Sequence, residues 1–298
     1  MASGTLPARG ADATQRNPRR QSTRVADARR HNPRRATFAL SSLNKRIAGA
    51  VERTIIAFMD TIQYPDLIPS YEHERLAALQ PYQVLGTPGQ GVFNDFVSVV
   101  AKLFDVPIAL VSLVRADDVV FIGNKGLPES TIVPREDSMC SVAILHEGPT
   151  VFEDIPARPC TLVNPSVAQQ MQLGFYAGQA LRTPTGQPLG SLCVIDRKAR
   201  HLSPDEAQLL TQLGLVAQDL LTLQATAESE AAFDPALRER LDGLVHQSLT
   251  RLHTLAELRA FDLAPEAGDA TRYTASRLDE ASYLAKSLHR ELLAVLVK

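Results

Sequence analysis

The chain has 298 residues, enough for one large domain or two of medium size, and its hydrophobic content of 45% is ordinary for a soluble protein. Its formal net charge is −2, but residues 1–46 carry eleven Lys and Arg against two Asp and Glu, so the rest of the chain is acidic. An acidic body does not favour binding of a polyphosphate, which restricts any contact with nucleic acid to the basic N-terminal tail.

The cysteines and the apolar runs indicate the compartment. Cys140, Cys160 and Cys193 show no metal-site spacing, and their odd number favours a reducing environment over a disulfide framework. No apolar run reaches the roughly 18 to 20 residues that span a bilayer, and the N-terminus lacks the apolar core of a secretory signal. We therefore predict a cytoplasmic protein without a membrane span.

Residues 1–69 fall into two predicted segments. Residues 1–42 are rich in Arg, Ala, Pro, Asn and Thr, a composition that buries too little apolar surface to offset the entropy of ordering. We predict a disordered basic tail there. Residues 43–69 are predicted to form an amphipathic helix and a proline-containing linker, because apolar residues recur at helical intervals from Ile47 to Ile62.

Residues 70–224 show the alternating helix and strand patterns of one α+β domain. Helical periodicity and capping residues predict five helices, over 71–79, 93–104, 137–145, 164–174 and 204–224. Apolar, β-branched runs predict five strands, over 107–114, 119–122, 150–155, 175–183 and 189–196. Short turn-prone connections join the first two strands and the last two, so each pair is predicted to form a hairpin.

Residues 225–298 are predicted to form a helical hairpin. The two helices run over 235–261 and 270–297, and the loop between them is short enough to make them antiparallel. In the second helix, apolar residues follow the alternating spacing of a coiled-coil or bundle seam: Leu278, Ala281, Ala285, Leu288, Leu292 and Val295. A lone hairpin buries little surface, so we expect either dimerisation into a four-helix bundle or docking on the domain.

The motifs of the central segment resemble those of bacterial GAF domains. They are Phe104-Asp-Val-Pro-Ile-Ala-Leu-Val-Ser-Leu113, Pro134-Arg-Glu-Asp-Ser-Met-Cys140, Phe175-Tyr-Ala-Gly178 and Leu189-Gly-Ser-Leu-Cys-Val-Ile-Asp196. The resemblance covers about residues 70–224 and is to stand-alone signalling members of the family. It implies a six-stranded antiparallel sheet with helices on both faces and a small-molecule pocket on one of them, but fold analogy does not identify the ligand.

Five residues are candidates for binding that ligand: Cys140, Tyr176, Gly178, Ser191 and Cys193. Strand alternation places Tyr176 and Gly178 on one face of their strand, and Ser191 and Cys193 on one face of the next. A pocket lined by that face is small and mostly apolar, with a phenol, a hydroxyl and a thiol as its polar groups, and suits a small neutral ligand. The alternative is a closed core without a ligand.

Cys140 begins a predicted helix, a position where a thiol can become reactive. Photoreceptor members of the family carry Cys-His at the neighbouring position, whereas Ser141 follows here, which argues against attachment of a chromophore. Cys140 and Cys160 together resemble the two thiols of the GAF-fold reductase of free methionine sulfoxide. The positions that would supply its acidic residues hold Tyr176, Cys193 and Ile195, so this reading is an alternative rather than the main prediction.

His246 gives a second alternative. It lies in the first helix of the hairpin, which loosely resembles the phosphoacceptor hairpin of sensor histidine kinases. No glycine boxes of an ATP-binding domain follow before Lys298, so we expect no kinase activity in this chain and instead a phosphorelay partner, working with a histidine kinase or a response regulator.

The main prediction is a sensory or regulatory GAF module without enzyme activity. It is expected to bind a small ligand or a protein partner, to form a homodimer through its terminal helices, and to signal through those helices. The sequence contains no catalytic triad, P-loop, dinucleotide-binding glycine motif or metal-ligand spacing, and it assigns no cofactor.

Overall fold

The computed structural model of the chain describes residues 64–86, 91–127, 132–229, 234–258 and 267–296. The predicted basic tail and the predicted amphipathic helix lie outside the described residues. Across the described ranges, no helix is both long enough and apolar enough to cross a membrane.

Seven α-helices occur among the described residues: α1 (Glu72–Leu79), α2 (Gly91–Phe104), α3 (Cys140–Ala143), α4 (Pro165–Gln170), α5 (Pro204–Ser229), α6 (Pro235–Glu257) and α7 (Ala267–Leu296). Short 3₁₀ helices cover Pro65–Leu67, Gln80–Gly86 and Arg135–Asp137. The start of α5 follows from its sequence, because Ser203 accepts a hydrogen bond from the backbone N–H of Glu206 and Pro204 occupies the first helical position.

Six strands form one antiparallel sheet: β1 (Ile108–Val114), β2 (Asp118–Lys125), β3 (Ile132–Pro134), β4 (Thr150–Phe152), β5 (Phe175–Arg182) and β6 (Pro188–Asp196). Their spatial order is β3-β2-β1-β6-β5-β4. Both predicted hairpins are present, β1 with β2 and β5 with β6, and the central pair of strands, β1 and β6, joins them. The sheet therefore has the six antiparallel strands that the resemblance implied.

The register of the central strands aligns the candidate residues across the sheet. Cys193 of β6 lies opposite Leu110 of β1 on one side and Gly178 of β5 on the other. Ser191 lies opposite Ser112, and Tyr176 lies opposite Ile195.

Each face of the sheet is covered by helices, which confirms the predicted α+β class. One face forms a large apolar core with α2, α5, α6 and α7. The other face forms a smaller core with α3, α4 and the segments around them, and this core contains Tyr176, Cys140 and Cys193. Successive strand residues alternate between the two cores, as Tyr176 and Ala177 show.

The predicted helical hairpin is present and packs on the sheet domain. Helix α7 contacts mainly α5, and α6 contacts α2. Five seam residues of α7 are buried in the large core: Leu278, Ala281, Ala285, Leu288 and Leu292. The sequence predicted that the apolar face of the hairpin would be buried either by docking on the domain or by dimerisation. Docking on the domain occurs in the single chain, and dimerisation stays a prediction.

The structure differs from the sequence prediction around the smaller core. The helix predicted over 137–145 is a 3₁₀ turn followed by the four residues of α3, because Ser138 adopts an extended conformation between them. The helix predicted over 164–174 is only α4, capped by the side chain of Asn164, and the chain leaves helical geometry at Gln172, where φ is +54°. Strand β3 was not predicted, since three residues carry too little pattern.

Candidate functional site

A cavity lies between the sheet and the helices α3 and α4. Its volume is about 70 Å³. Strands β1, β2, β3, β5 and β6 supply one wall, and α3, α4 and the segments before them supply the other. Sixteen residues line it: Leu110, Phe121, Leu127, Val133, Asp137, Ser138, Met139, Cys140, Val163, Asn164, Val167, Ala168, Met171, Leu173, Tyr176 and Ile195. Most of these side chains are apolar, so the cavity favours an uncharged occupant.

Tyr176 is the largest polar side chain in the cavity wall. Its residue is 1% exposed, and its ring meets Phe152 edge-on with a centroid distance of 6.4 Å. The phenol oxygen makes no hydrogen bond with good geometry to any described residue. Burial raises the pKa of this phenol well above its usual value, and the neighbouring thiols of Cys140 and Cys193 raise the pKa further. The tyrosine is therefore a neutral phenol at neutral pH, with no well-formed hydrogen bond to a described residue.

Gly178 provides the space that the tyrosine hydroxyl occupies. A Cβ atom at Gly178 would lie 2.3 Å from Tyr176 Oη, far inside van der Waals contact. The two residues are adjacent on the same face of β5 because side chains on a strand repeat with a period of two. Gly178 does not line the cavity itself; it determines where the ring of Tyr176 can lie.

Cys140 and Cys193 form a buried thiol pair. Their Sγ atoms are 3.8 Å apart, and both are free thiols. The hydrogen bond from Cys193, together with those from Ser112, Ser191 and Ser138, lowers the pKa of Cys140 to about 6 although burial opposes the shift. The same hydrogen bond and burial raise the pKa of Cys193 well above its usual value. Cys140 is therefore the thiol of the pair that loses its proton more readily.

A serine pair connects β1 and β6 beside the thiols. The Oγ atoms of Ser112 and Ser191 are 3.2 Å apart, and the backbone N–H of Ser191 donates to Ser112 Oγ. Both residues are fully buried. Three hydroxyls and two thiols thus lie together on the cavity face of the sheet, within a core that is otherwise apolar.

The structure brings the five candidate residues together in different roles. Cys140 and Tyr176 line the cavity directly, whereas Cys193 contacts Cys140, Ser191 contributes to the hydroxyl cluster and Gly178 accommodates the tyrosine hydroxyl. Whether they bind a ligand stays a prediction.

Three polar residues of the cavity were not predicted: Asp137, Ser138 and Asn164. Asn164 Nδ2 donates to Asp137 Oδ1 over 3.0 Å, and the backbone N–H of Asn164 donates to the carbonyl of Glu136 over 2.8 Å. These bonds fasten the start of α4 to the segment before α3. The capping pattern of Asn164 before Pro165 was visible in the sequence, but its contact with Asp137 depends on the fold.

A network of buried charges supports the segment before α3. Arg135 donates to both carboxylate oxygens of Glu72, and also to the backbone carbonyl of Leu67. Glu72 accepts from Arg75 as well, which is fully buried and donates in addition to the carbonyl of Val114. Helix α1 and the turn after β1 are thereby connected to the residues that begin the second cavity wall.

The residues of the two alternative sites lie in different parts of the structure. Cys160 is buried in the smaller core, whereas the thiol that contacts Cys140 is Cys193. His246 is exposed on α6, as a phosphoacceptor must be. The described residues contain no group of three or more His, Cys, Asp or Glu side chains placed to hold a metal ion.

Comparison with known proteins identifies the domain. The family model of the GAF domain matches residues 89–218. A curated cyclic di-GMP phosphodiesterase of Pseudomonas aeruginosa is 34% identical over 199 residues, which are 66% of this chain and 34% of the relative. The chain thus spans about a third of the length of the curated relative that it matches.

Two bacterial proteins are among the solved structures that match part of this chain. The GAF domain of an Acinetobacter phosphoenolpyruvate-protein phosphotransferase is 15% identical, with a TM-score of 0.39, and the match covers 53% of this chain and 98% of that domain. A free methionine-R-sulfoxide reductase from Neisseria meningitidis, solved in complex with its substrate, is 18% identical, with a TM-score of 0.39 and coverage of 51% and 90%.

The curated relative also corrects one prediction. The sequence predicted a protein that is not an enzyme, but the relative that it matches at 34% identity is named a cyclic di-GMP phosphodiesterase, so that prediction is wrong. The family is shown by the match of its model and by the six-stranded antiparallel sheet: residues 89–218 of this chain are a GAF domain.

Proposed function

We propose that this chain is a sensory GAF module in cyclic di-GMP signalling, which binds a small neutral molecule in the cavity and thereby regulates phosphodiesterase activity. The single observation that carries the sensory part is an apolar cavity with a buried phenol in its wall that makes no hydrogen bond of good geometry to a described residue. The resemblance to a cyclic di-GMP phosphodiesterase supports the output.

The volume of the cavity limits its ligand. Since one water molecule takes about 30 Å³ of liquid, a cavity of about 70 Å³ accommodates a molecule of only a few non-hydrogen atoms. Pockets for drug-sized ligands measure roughly 300 Å³ or more. Cyclic di-GMP is therefore too large to be the cavity's ligand. The small molecule that binds in the cavity is thus different from cyclic di-GMP, the substrate of the phosphodiesterase activity that the module regulates.

Tyr176 gives the ligand its orientation in this proposal. A ligand that carries a hydrogen-bond acceptor on an apolar frame satisfies the phenol, which otherwise loses its bond to water without compensation. The surrounding apolar side chains then exclude water from that bond. The selected class is a small neutral alcohol, ketone or amide.

Strand β5 offers a path from the cavity to the terminal helices. Tyr176 faces the cavity, while Gln179 of the same strand accepts a hydrogen bond from the Thr211 hydroxyl of α5. Further along β5, the backbone N–H of Arg182 donates to the Gln218 side chain, also on α5. Because α7 packs on α5, a shift of β5 on ligand binding changes the surface on which the hairpin docks.

Cellular cyclic di-GMP tests the proposal. The full chain is expressed in a bacterium that makes cyclic di-GMP, beside a variant Ala168→Leu, which fills the cavity from α4. A matched control, Ala77→Leu, places the same side chain on an exposed helix position. We expect the chain and the control to change the cyclic di-GMP concentration several-fold, and the filled variant to lose its response to the cellular ligand.

A parallel assay of the purified chain with cyclic di-GMP measures whether hydrolysis belongs to this chain or to a partner protein. Cyclic di-GMP that stays unchanged in cells expressing the chain, with no hydrolysis by the purified protein, contradicts the proposed output. A response that survives in Ala168→Leu contradicts the proposed sensor site.

A further inference from the structure

We propose that Cys140 and Cys193 are a redox-active dithiol, which a hydroperoxide entering the cavity oxidises to an intramolecular disulfide. The dithiol is reached through the same cavity as the proposed neutral ligand, but its oxidation is a different chemistry that does not require that ligand. It does not involve Cys160, the partner of Cys140 suggested by the sequence. The inference rests on the distance between the two sulfurs, on the hydroxyls around them and on the cavity that reaches one of them.

The two sulfurs are close enough to bond after a small movement. Their separation of 3.8 Å exceeds the length of a disulfide, about 2.05 Å, by roughly 1.8 Å. Cys193 lies in the central strand β6, which is paired on both sides. Cys140 begins α3, a helix of only four residues between two turns, so α3 is the element that can approach the sheet.

The environment of Cys140 favours its thiolate. The Cys193 sulfur lies 3.8 Å from its sulfur, and hydrogen bonding with Cys193 and with the hydroxyls of Ser112, Ser191 and Ser138 lowers the pKa of the Cys140 thiol. Because the thiolate is the nucleophile in attack on a peroxide, these donors increase the reactive fraction of Cys140 at neutral pH. Cys193 stays protonated under the same conditions. Its thiol can then react with the sulfenic acid that peroxide first forms on Cys140.

The cavity provides access to a thiol that is otherwise closed to solvent. Cys140 is 2% exposed, yet it lines the cavity. A volume of about 70 Å³ equals roughly two water molecules' share of the liquid, which matches the size of hydrogen peroxide. A peroxide is neutral, as the apolar lining requires, whereas larger alkylating reagents do not fit.

The chemistry balances in two steps. The Cys140 thiolate attacks one peroxide oxygen, the O–O bond breaks, and hydroxide leaves and takes a proton to become water, which gives a sulfenic acid on Cys140. The Cys193 sulfur then attacks the Cys140 sulfur, the S–O bond breaks, and a second water leaves with the Cys193 proton. Overall, two thiols lose two hydrogen atoms and one hydroperoxide is reduced.

Formation of the disulfide also affects the charged network. The Ser141 hydroxyl, next to Cys140 in α3, donates to the backbone carbonyl of Arg135 over 2.7 Å. Arg135 in turn binds the carboxylate of Glu72 in α1. A movement of α3 toward the sheet therefore pulls on the contact between the cavity wall and α1.

Peptide mapping of the full chain tests this proposal. The reduced protein is treated with hydrogen peroxide, unfolded with an alkylating reagent present, digested and analysed by mass spectrometry. We expect one of its three thiols to remain free and a cross-linked pair of peptides containing Cys140 and Cys193, lighter by two hydrogen atoms. Dithiothreitol is expected to restore all three thiols.

Two variants identify the partners. Cys160→Ala is expected to form the same cross-link as the natural chain. Cys193→Ser is expected to form no internal disulfide and to accumulate a sulfenic acid on Cys140, which dimedone traps. The proposal is overturned if peroxide leaves Cys140 and Cys193 as free thiols, if the disulfide contains Cys160, or if it joins two chains.

Discussion

Gly178 and Tyr176 show how one residue without a side chain determines the shape of the site. The tyrosine ring passes over the glycine, and its hydroxyl lies where any other residue would place its Cβ atom. The position of the phenol in the cavity wall thus depends on a residue that does not touch the cavity.

Gly178→Ala is expected to destabilise the protein by about 2 kcal/mol, because the new methyl group forces the buried ring of Tyr176 out of place. The free energy of unfolding in urea measures the effect. Gly243→Ala is the control, since nothing lies within 4 Å of the added atom in α6; it is expected to raise stability by up to about 1 kcal/mol. Equal stability of the Gly178→Ala variant and the natural chain contradicts the predicted clash.

The ionisation of Cys140 gives a second prediction at the residue scale. The ultraviolet absorbance of the thiolate, taken as the difference between the natural chain and Cys140→Ser, is expected to rise with a midpoint near pH 6. Because the pKa is depressed in the folded state, the thiolate stabilises the fold above the ordinary thiol pKa, and this stabilisation is lost as pH falls through about 6. A midpoint at the ordinary value of 9.0 shows that the donors around Cys140 do not act as described.

Residue patterns predicted part of the site. Alternation along two adjacent strands was enough to place Tyr176 near Cys193, because a sheet with a period of two leaves few alternatives. The contact of Asn164 with Asp137 joins residues from two loops, and no periodic pattern relates loop residues to each other. The apolar lining and small size of the cavity agree with the expected neutral environment.

At the scale of elements, buried charges connect α1 to the wall of the cavity. Glu72→Ala leaves Arg75 and Arg135 buried without their shared carboxylate and is expected to cost about 3 kcal/mol of unfolding free energy. Asp118→Ala is the control, since its ion pair with Arg115 is about one third exposed and is expected to cost less than about 1 kcal/mol. Similar losses in the two variants contradict a special role for the network.

The same network makes stability depend on pH. Burial acts to raise the pKa of Glu72, but the hydrogen bonds from Arg75 and Arg135 outweigh it and lower the pKa below the ordinary value of 4.5. A depressed carboxyl pKa stabilises the fold above the unfolded value, and this contribution disappears as pH falls through the folded value. The difference in stability between the natural chain and Glu72→Ala is therefore expected to shrink in acid.

His289 of α7 and Asp219 of α5 connect the hairpin to the domain through a contact of 2.5 Å. Burial raises the pKa of Asp219 to about 6, although the hydrogen bond from His289 lowers it. His289→Ala removes that donor and is expected to destabilise the protein by about 3 kcal/mol near pH 8, where the carboxylate must stay charged. Urea unfolding monitored by far-ultraviolet circular dichroism measures this loss.

The pH dependence of that loss has a definite sign. A carboxyl pKa raised by folding gives stability that is present below the unfolded value and lost as pH rises through the folded value. In His289→Ala the buried carboxyl takes up a proton in acid, so the variant is expected to approach the natural chain as pH falls below about 6. A loss that is independent of pH contradicts this account of the contact.

Element boundaries followed the strength of the sequence pattern. The long helices α2, α5, α6 and α7 were predicted because several turns repeat one apolar face. Helix α3 was predicted too long, because a run of apolar residues in a buried loop has the same composition as a buried helix.

At the scale of the whole molecule, the apolar stripe of α7 predicted that one face of this helix would be buried. It did not predict which element would bury that face. The seam lies on α5 and the large core, with Ala281 and Ala285 allowing close approach. A stripe of small and aliphatic residues fits a partner helix of another chain equally well, so its spacing alone does not distinguish the two. Homodimerisation through the terminal helices stays a prediction, as does cytoplasmic location.

Function was the level least accessible from the sequence. The GAF motifs predicted the fold, but the sequence shows no catalytic motif, and this led to the wrong prediction that the protein is not an enzyme. The finding that contradicts this prediction is the likeness to a longer protein named a cyclic di-GMP phosphodiesterase, and no residue of the cavity indicates it. Phosphorelay through exposed His246 and the reductase reading of Cys140 remain untested predictions.

The measurement that tests the central claim most directly is methyl nuclear magnetic resonance of the chain labelled at methionine. Met139 and Met171 both line the cavity, so their methyl signals report its occupancy. On addition of neutral alcohols and amides of about two to four non-hydrogen atoms, we expect both signals to shift and saturate with at least one compound. Ala77→Leu is expected to behave like the natural chain, and Ala168→Leu to show no shift. Methyl signals that stay unchanged with every compound, or that shift equally in Ala168→Leu, contradict a ligand site in this cavity.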